Sequence, residues 1–277
     1  MQRRRRVLVK FGGATLGDPA LRARLADDLR AVADADVDLV VVHGGGPQTS
    51  ALMRRLGVEP EFRAGRRVTD AATLEIAAWT LVGGVATELL AALLAAGVRA
   101  VSTPVASGGL LRSVRRPPRK VSGEPEPVDF GEVADPAGVD AHLLETLWRG
   151  GFVPVLSSLC VDGEGRRLNL NADTAARAIA EALAVDDVIA VADVPGVFGD
   201  LADPSTHLPE LTPEQVRARI EDGTVMGGMV AKLEEMVAQV QAGVGACWIV
   251  GAHEPEPISA AVAGRPGRRT RVAAGAR

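Results

Sequence analysis

The sequence is poor in cysteine. Cys160 and Cys247 are its only thiols, and neither has a close partner at metal-ligand spacing, which excludes a zinc framework and a disulfide scaffold and fits a reducing compartment. Long apolar runs are missing near the N-terminus too: the stretch after Arg3–Arg6 is broken at Lys10, far short of a secretory-signal core or a membrane span. A cytoplasmic protein is expected. Charge of one sign is not in large excess, and a net charge of -4 argues against a general nucleic-acid binder. Two basic clusters, Arg3–Arg6 and Arg112–Lys120, are short enough to read as solvated surface. There is no internal repeat. The G-x-x-x-x-G-K-[ST] loop is absent, as is a G-x-G-x-x-G with an acidic residue at the proper distance. Asp129–Gly131 spells DFG, but without an accompanying H-R-D or V-A-I-K the triplet is chance. What remains is a chain of 277 residues, 47% apolar and 24% charged, long enough for one large domain or two modest ones.

"VLVKF" reads as a buried strand, and "DPALRARLADDLRAVADAD" as a helix with Asp18 as N-cap and Pro19 as its first residue. "VDLVVVHGGGP" repeats the design: a β-branched run, three glycines, and a helix from about Gln48. Strand, helix and strand of this kind predict a βαβ unit and a parallel sheet, so the fold class is α/β. An Ala/Leu-rich helix follows through "LEIAAWTLVGGVATELLAALLAAG", then a strand at "VRAVSTPVA". Gly108 to Gly138 reads as a hairpin or lid with strand pieces at "GLLRSV" and "EPVDFGEV". Helices are expected at "DAHLLETLWRGG", "NADTAARAIAEALA", "TPEQVRARIEDG" and "GMVAKLEEMVAQVQAG", and strands at "FVPVLSSL" and "DVIAVADV". "ACWIV" reads as the closing strand, and Val185 as the lobe boundary.

Ligands collect at the carboxyl ends of strands in open α/β sheets. "KFGG", "HGGGP", "NLNAD" and "DVPGVF" all fall at such ends. Gly44, Gly45 and Gly46 expose backbone amides at a helix N-terminus, an anion site or merely a tight turn. His43 reads as a packed, hydrogen-bonded residue without catalytic work. Arg67, just before a helix starting at Asp70 or Ala71, can grip a carboxylate bidentately; an isolated arginine is otherwise solvated surface. Asn169 and Asn171 read as two amides on one side of a strand, followed by Asp173 at a helix start, where an aspartate is most often a cap. Lys232 lies in the first turns of a helix, opposed by the dipole, so some other gain should hold it there.

Taken in order, "KFGG", "HGGGPQ", "RRVTD", "NLNAD", "DVPGVF" and "GGMVAKLE" resemble the amino-acid kinase superfamily and, within it, the acetylglutamate kinases, over nearly the whole chain. The resemblance implies a three-layer αβα sandwich with a central, mostly parallel sheet and two lobes. Residues 1–184 would bind the amino-acid substrate and dimerise, with a hairpin lid at about 108–138, and residues 185–277 would bind ATP. The implied reaction is phosphoryl transfer from MgATP to the γ-carboxylate of N-acetyl-L-glutamate in arginine biosynthesis, by a homodimer, with Mg2+ carried by the ATP and no protein cage of its own. Lys10 and Lys232 would neutralise the transferring group from opposite sides, with hydrogen bonds from Gly13 and Gly45, and Asp173 would orient both lysines. Gly45, Gly46, Arg67, Asn169 and Asn171 would hold the acceptor. Lys10, Gly12, Gly13 and Lys232 would meet ATP together with Asp193, Val194, Pro195, Gly196, Val197 and Phe198, and with Thr224, Val225 and Met226.

Three departures stand out, one of them a hairpin unusually rich in arginine and proline. Ala106–Gly109 replaces a Lys-Asp-Gly-Gly-like element, and Arg269 replaces the glycine before Thr270. Three other readings compete. A kinase acting on carrier-linked aminoadipate or glutamate could use Arg112–Lys120 to dock an acidic carrier, but "NLNAD" looks like the acetylglutamate enzymes. Aspartokinase would need regulatory domains for which the chain has no room, and a silent amino-acid or nucleotide sensor has little need of both lysines and the aspartate. The first strand begins almost at once, which suggests an arginine-insensitive dimer.

Overall fold

The structure is a computed structural model that describes residues 3–121, 123–200, 202–226 and 228–275. Ser122 of the expected hairpin and Gly227 of the "GGMVAKLE" motif lie outside the described residues. In chain order, β1 (Arg5–Phe11), α1 (Pro19–Ala33) and β2 (Val37–His43) form the predicted first unit, and α2 (Gly46–Arg55) follows. A small hairpin, β3 (Phe62–Arg63) and β4 (Arg66–Arg67), leads to one continuous helix: α3 (Ala71–Ala78), a π-helical segment (Trp79–Val85) and α4 (Ala86–Ala95). Next come β5 (Ala100–Pro104), the hairpin β6 (Leu111–Arg115) and β7 (Ala134–Val139), α5 (His142–Arg149), β8 (Val153–Ser157), β9 (Leu159–Val161), β10 (Arg167–Asn169) and α6 (Ala172–Leu183). The remainder holds β11 (Asp187–Ala192), β12 (Val197–Phe198), β13 (His207–Leu208), β14 (Glu210–Leu211), α7 (Pro213–Glu221), α8 (Gly228–Gln241), β15 (Ala246–Gly251), α9 (Pro257–Val262) and β16 (Arg269–Ala273).

Among the described residues, eight strands make the central sheet, in the order β14-β16-β15-β11-β1-β2-β8-β5. Every pairing in it is parallel except β15 with β16. Strand sequences explain this. "VLVKF" and "VDLVVVH" are nearly continuous apolar runs, as strands buried on both faces must be. Along β1 and β2 successive side chains alternate between two cores. Val7, Val9, Phe11, Leu39 and Val41 pack with Leu25, Leu29, Leu89, Leu93 and Ile258 from α1, α4 and α9. Leu8, Val40 and Val42 pack with Leu144, Ile179 and Leu233 from α5, α6 and α8. The result is the expected three-layer αβα sandwich.

Caps set the helix starts. Asp18 accepts from the amides of Ala20 and Leu21, with Pro19 at the first helical position, as the sequence indicates. The Ala71–Ala95 helix is long and apolar enough to cross a membrane by length and composition alone; here α4 buries Leu89 and Leu93 against α1.

Four expectations need correction. α2 begins at Gly46 rather than Gln48, because Pro47 fits the first turn of a helix, where its missing N–H costs nothing. The second arm of the large hairpin is 134–139, not "EPVDFGEV" at 126–133: Gly131 is left-handed at φ 74° and cannot continue a strand. Asn171 is not on a strand with Asn169; it caps α6. "ACWIV" does not close the fold, since α9 and the antiparallel β16 follow it. The short α9 has its N-terminus satisfied by a distant residue: the buried Asp28 of α1 accepts from the amides of Ile258 at 2.7 Å and Ser259 at 3.1 Å. No local signal could announce that.

Candidate active site

Because β1 and β2 are adjacent and parallel, their carboxyl ends open on the same edge, and β8 joins them there. Lys10 lies in register with Val42 of β2 and Ala190 of β11. Strand alternation puts it on the same face as Leu8, the face covered by α6. Lys10 therefore meets the first turn of α6, where its ammonium forms an ion pair with Asp173. Asp173 is available because it is not the cap: Asn171 accepts from the amides of Asp173 at 2.8 Å and Thr174 at 3.1 Å.

Two glycine loops meet beside this pair. The Gln48 side chain donates to the Gly13 carbonyl at 2.6 Å, and the Gly44 amide donates to Phe11 O at 3.2 Å. The loops are pressed together so closely that a Cβ on Gly13 would sit 2.7 Å from Pro47 Cδ and 3.0 Å from Gly45 Cα. A Cβ on Gly45 would meet Leu81 and Val85 at 3.0 and 3.1 Å. Both leucine and valine belong to the π-helical segment, whose widened turn carries Gly83 and Gly84, poor helix formers. Gly12 and Gly46 have open space where a Cβ would be.

A cavity of about 300 Å3 opens there, lined by Lys10, Gly12, Gly13, Gly44–Gly46, Arg67, Asn169, Asn171 and Asp173. The structure thus brings together the residues expected at the acceptor. Arg67 is held rigidly: it donates to Gly46 O at 3.0 Å and Ser50 Oγ at 2.7 Å, and stacks 4.7 Å from the Phe62 ring centre. Asn169 donates to Thr69 Oγ1 at 3.2 Å. The roof comes from the large hairpin. Thr69 accepts from the Glu132 amide at 2.7 Å and donates to Phe130 O at 2.9 Å through its own amide, while the Asn169 amide donates to Glu132 O at 2.9 Å. Gly131 is needed for this approach, because a Cβ there would lie 2.3 Å from Thr69 O.

Lys232 lies on α8, in the other half of the chain. Burial holds its pKa below the ordinary lysine value, and the Lys10 charge adds to that, while Asp173 and Asp193 oppose it. Those mutual influences place Lys232 within electrostatic reach of Lys10, Asp173 and Asp193. The segment Asp193–Phe198 does not line this cavity. It follows β11 and is fixed by the Val197 amide donating to Thr270 Oγ1 at 2.8 Å. Thr224, Val225 and Met226 do not line that cavity either; the Val225 side chain is buried and Met226 is 74% exposed. Arg269, in the position of the expected glycine, is buried in β16, and burial lowers its pKa.

His43 is packed as expected: fully buried, hydrogen-bonded to Gly44 O through Nδ1 at 3.0 Å, and pushed down in pKa by burial, which keeps it neutral. Burial pushes both thiols up to about 12, so neither is a nucleophile near neutral pH. The basic run is not uniformly solvated surface, because Arg116 is buried and paired with Asp135 at 2.7 Å. Sequence reasoning missed four residues that shape the cavity or its loops: Gln48, Phe62, Arg66 and Arg116. One signal was in view. Only three of the 31 basic residues are lysines, Lys10, Lys120 and Lys232; Lys10 pairs with Asp173, and Lys232 is influenced by both of those charges. In a chain that otherwise uses arginine, a retained lysine marks a place where a compact ammonium is wanted.

That scarcity makes Lys232 measurable. In protein labelled with 13C-lysine, one ε-methylene signal should titrate below the ordinary lysine value, disappear in Lys232→Arg, and titrate lower still in Asp173→Asn, because Asp173 favours the charged form. A Lys232 signal at or above the ordinary value would contradict the burial seen here.

The sequence matches the amino acid kinase family over residues 5–251. An acetylglutamate kinase of Sorangium cellulosum (strain So ce56) is 44% identical over 254 residues, spanning 91% of this chain and 89% of the relative. That of Anaeromyxobacter dehalogenans (strain 2CP-C) is 42% identical over 257 residues, spanning 92% and 95%. N-acetylglutamate synthase from Neisseria gonorrhoeae, solved with coenzyme A and N-acetyl-glutamate, has the same fold over 99% of this chain and 60% of its own, with a TM-score of 0.82 at 22% identity. With its strand-end glycine loops, its Lys10–Asp173 pair and these likenesses over nine-tenths of its length, the chain belongs to the amino acid kinase family, among the acetylglutamate kinases.

Proposed function

We propose that the protein transfers the terminal phosphoryl group of MgATP to the γ-carboxylate of N-acetyl-L-glutamate, giving the acyl phosphate used in arginine biosynthesis. The observation that carries this reading is the ion pair of Lys10 with Asp173 beside the two glycine loops, with Lys232, from the other half of the chain, subject to both charges. A carboxylate nucleophile with a pKa of about 4.3 is ionised at neutral pH and needs no general base. The chemical problem is to bring two anions into line and to stabilise the charge that builds on the transferring group. Lys10 and Lys232 supply the positive charge, Gly13 and Gly45 the backbone hydrogen bonds, and Asp173 holds the two ammonium groups in place without taking a proton.

The acceptor lies in the cavity between the glycine loops and the hairpin roof, held by Gly45, Gly46, Arg67, Asn169 and Asn171. ATP lies on the other side of the lysine pair, against Gly12, Gly13, Asp193–Phe198 and Thr224–Met226, with Mg2+ on its phosphates. Residues 1–184 form the acceptor lobe, with 108–138 as its lid, and 185–277 the nucleotide lobe. All residues lining the acceptor cavity fall between Lys10 and Asp173, which supports this division.

The protein acts in the cytoplasm as a homodimer. The support for pairing is an uncovered stripe on the Ala71–Ala95 helix, where Trp79 and Leu94 are 53% and 54% exposed and Gly83 and Ala91 lie between them. Trp79→Glu should sediment as a monomer where the parent chain sediments as a dimer; a parent monomer would remove this part of the reading.

The reaction is tested by ATP-dependent acyl phosphate formation trapped with hydroxylamine, comparing N-acetyl-L-glutamate with aspartate, glutamate and free or carrier-linked aminoadipate. Turnover is expected with N-acetyl-L-glutamate. Turnover only with a carrier-linked acceptor would overturn the proposal.

A further inference from the structure

The acceptor cavity holds more positive charge than the roles proposed above use. Lys10, Arg66, Arg67 and Arg116 all line it. Lys10 is matched by Asp173, and Arg116 by Asp135. Among the described residues Arg67 has no carboxylate partner, but its Nη groups are already engaged by Gly46 O, Ser50 Oγ and Met53 Sδ. Arg66 differs from all three. Among the described residues its guanidinium makes no hydrogen bond and no ion pair, and partial burial is the first influence holding its pKa below the ordinary arginine value. Arg116 and Arg119 repel it, and Asp135 and Glu235 attract it.

Its setting is also distinctive. Arg66 follows the turn Ala64–Gly65, whose two residues are both left-handed at φ 45° and 72°, the geometry of a tight hairpin turn. It stands where the acceptor cavity meets a second, larger cavity of about 830 Å3, and lines both. A planar cation with all its N–H donors uncommitted, beside two other arginines, is an arrangement that a carboxylate completes: it satisfies the donors and screens the repulsion among the guanidinium groups.

We propose that Arg66 is a specificity-determining residue for the acceptor, its guanidinium gripping, next to Arg67, the carboxylate that is not phosphorylated. This rests on the kinase reading, in which the other carboxylate faces Lys10. Arg67, fixed by the protein, sets the direction of approach. Arg66 supplies the uncommitted fork that distinguishes a dicarboxylic acceptor from a monocarboxylic one.

The test compares two ligands in the parent enzyme, Arg66→Ala, Arg66→Lys and Glu235→Gln. N-acetyl-L-glutamate is measured by its KM, and 4-acetamidobutyrate, which keeps the acetamido group and the reacting carboxylate but lacks the other, by its inhibition constant. Arg66→Ala should raise KM for N-acetyl-L-glutamate about 10- to 100-fold, with kcat within about threefold and KM for ATP unchanged. The inhibition constant of 4-acetamidobutyrate should stay the same, and Arg66→Lys should recover only part of the loss. An equal penalty on both ligands, no change in KM, or a penalty that falls on ATP or on kcat would overturn the assignment. So would a Glu235→Gln variant that reproduces Arg66→Ala, since Arg66 would then serve a charge pair across the larger cavity. A parent enzyme that does not turn over N-acetyl-L-glutamate contradicts the kinase reading and this role together; a parent that does, with an indifferent Arg66→Ala, contradicts this role alone.

Discussion

Everything at the site depends on one constraint: Asp173 must be free to face Lys10. A carboxylate in the first turn of a helix is ordinarily drawn into capping, where its oxygens are used by backbone amides. Here Asn171 does that work two residues earlier. The helix dipole still favours a negative charge in that turn, so α6 holds Asp173 with both a fixed position and a supportive field. On the other side, Lys10 has little freedom, because it belongs to a strand flanked by β2 and β11 in the middle of an eight-stranded sheet. A side chain at the end of such a strand is placed by the most rigid part of the molecule, which is what transition-state stabilisation requires of a charge.

The surrounding parts follow from that pair. The glycine loops can approach it only without side chains, and Gln48 ties one loop to the other. The roof is joined to the floor by backbone hydrogen bonds at Thr69 and Asn169, so the segment carrying Phe130, between the two hairpin strands, is anchored where it lines the cavity. Lys232 lies on α8, where burial and the Lys10 charge lower its pKa and the carboxylates of Asp173 and Asp193 act against them.

The sheet was legible in the sequence because its inner strands are buried on both faces and read as unbroken apolar runs. The α1 start was legible because Asp18 and Pro19 are adjacent and local. The strand-end glycines and both lysines were legible for the same reason: their chemistry is written in short contiguous motifs. What escaped was decided by distant partners. Arg116 looks like one more surface arginine until Asp135 folds back onto it. α9 is unremarkable until Asp28 supplies its cap. Asn171 and Asn169 appear equivalent in "NLNAD", yet one ends a strand and the other starts a helix. The second arm of the hairpin was misplaced because a left-handed glycine, not hydropathy, ended the extended run.

The claim that Asp173 acts by positioning the two lysines is tested most directly by the steady-state kinetics of Asp173→Asn, which keeps the shape and removes the charge. If it holds the lysines at the transferring phosphoryl, kcat should fall by about 100-fold or more while KM for ATP and for the acceptor change little, with the helix intact under its Asn171 cap. An unchanged kcat, or a KM for ATP that rises as steeply as kcat falls, would contradict it.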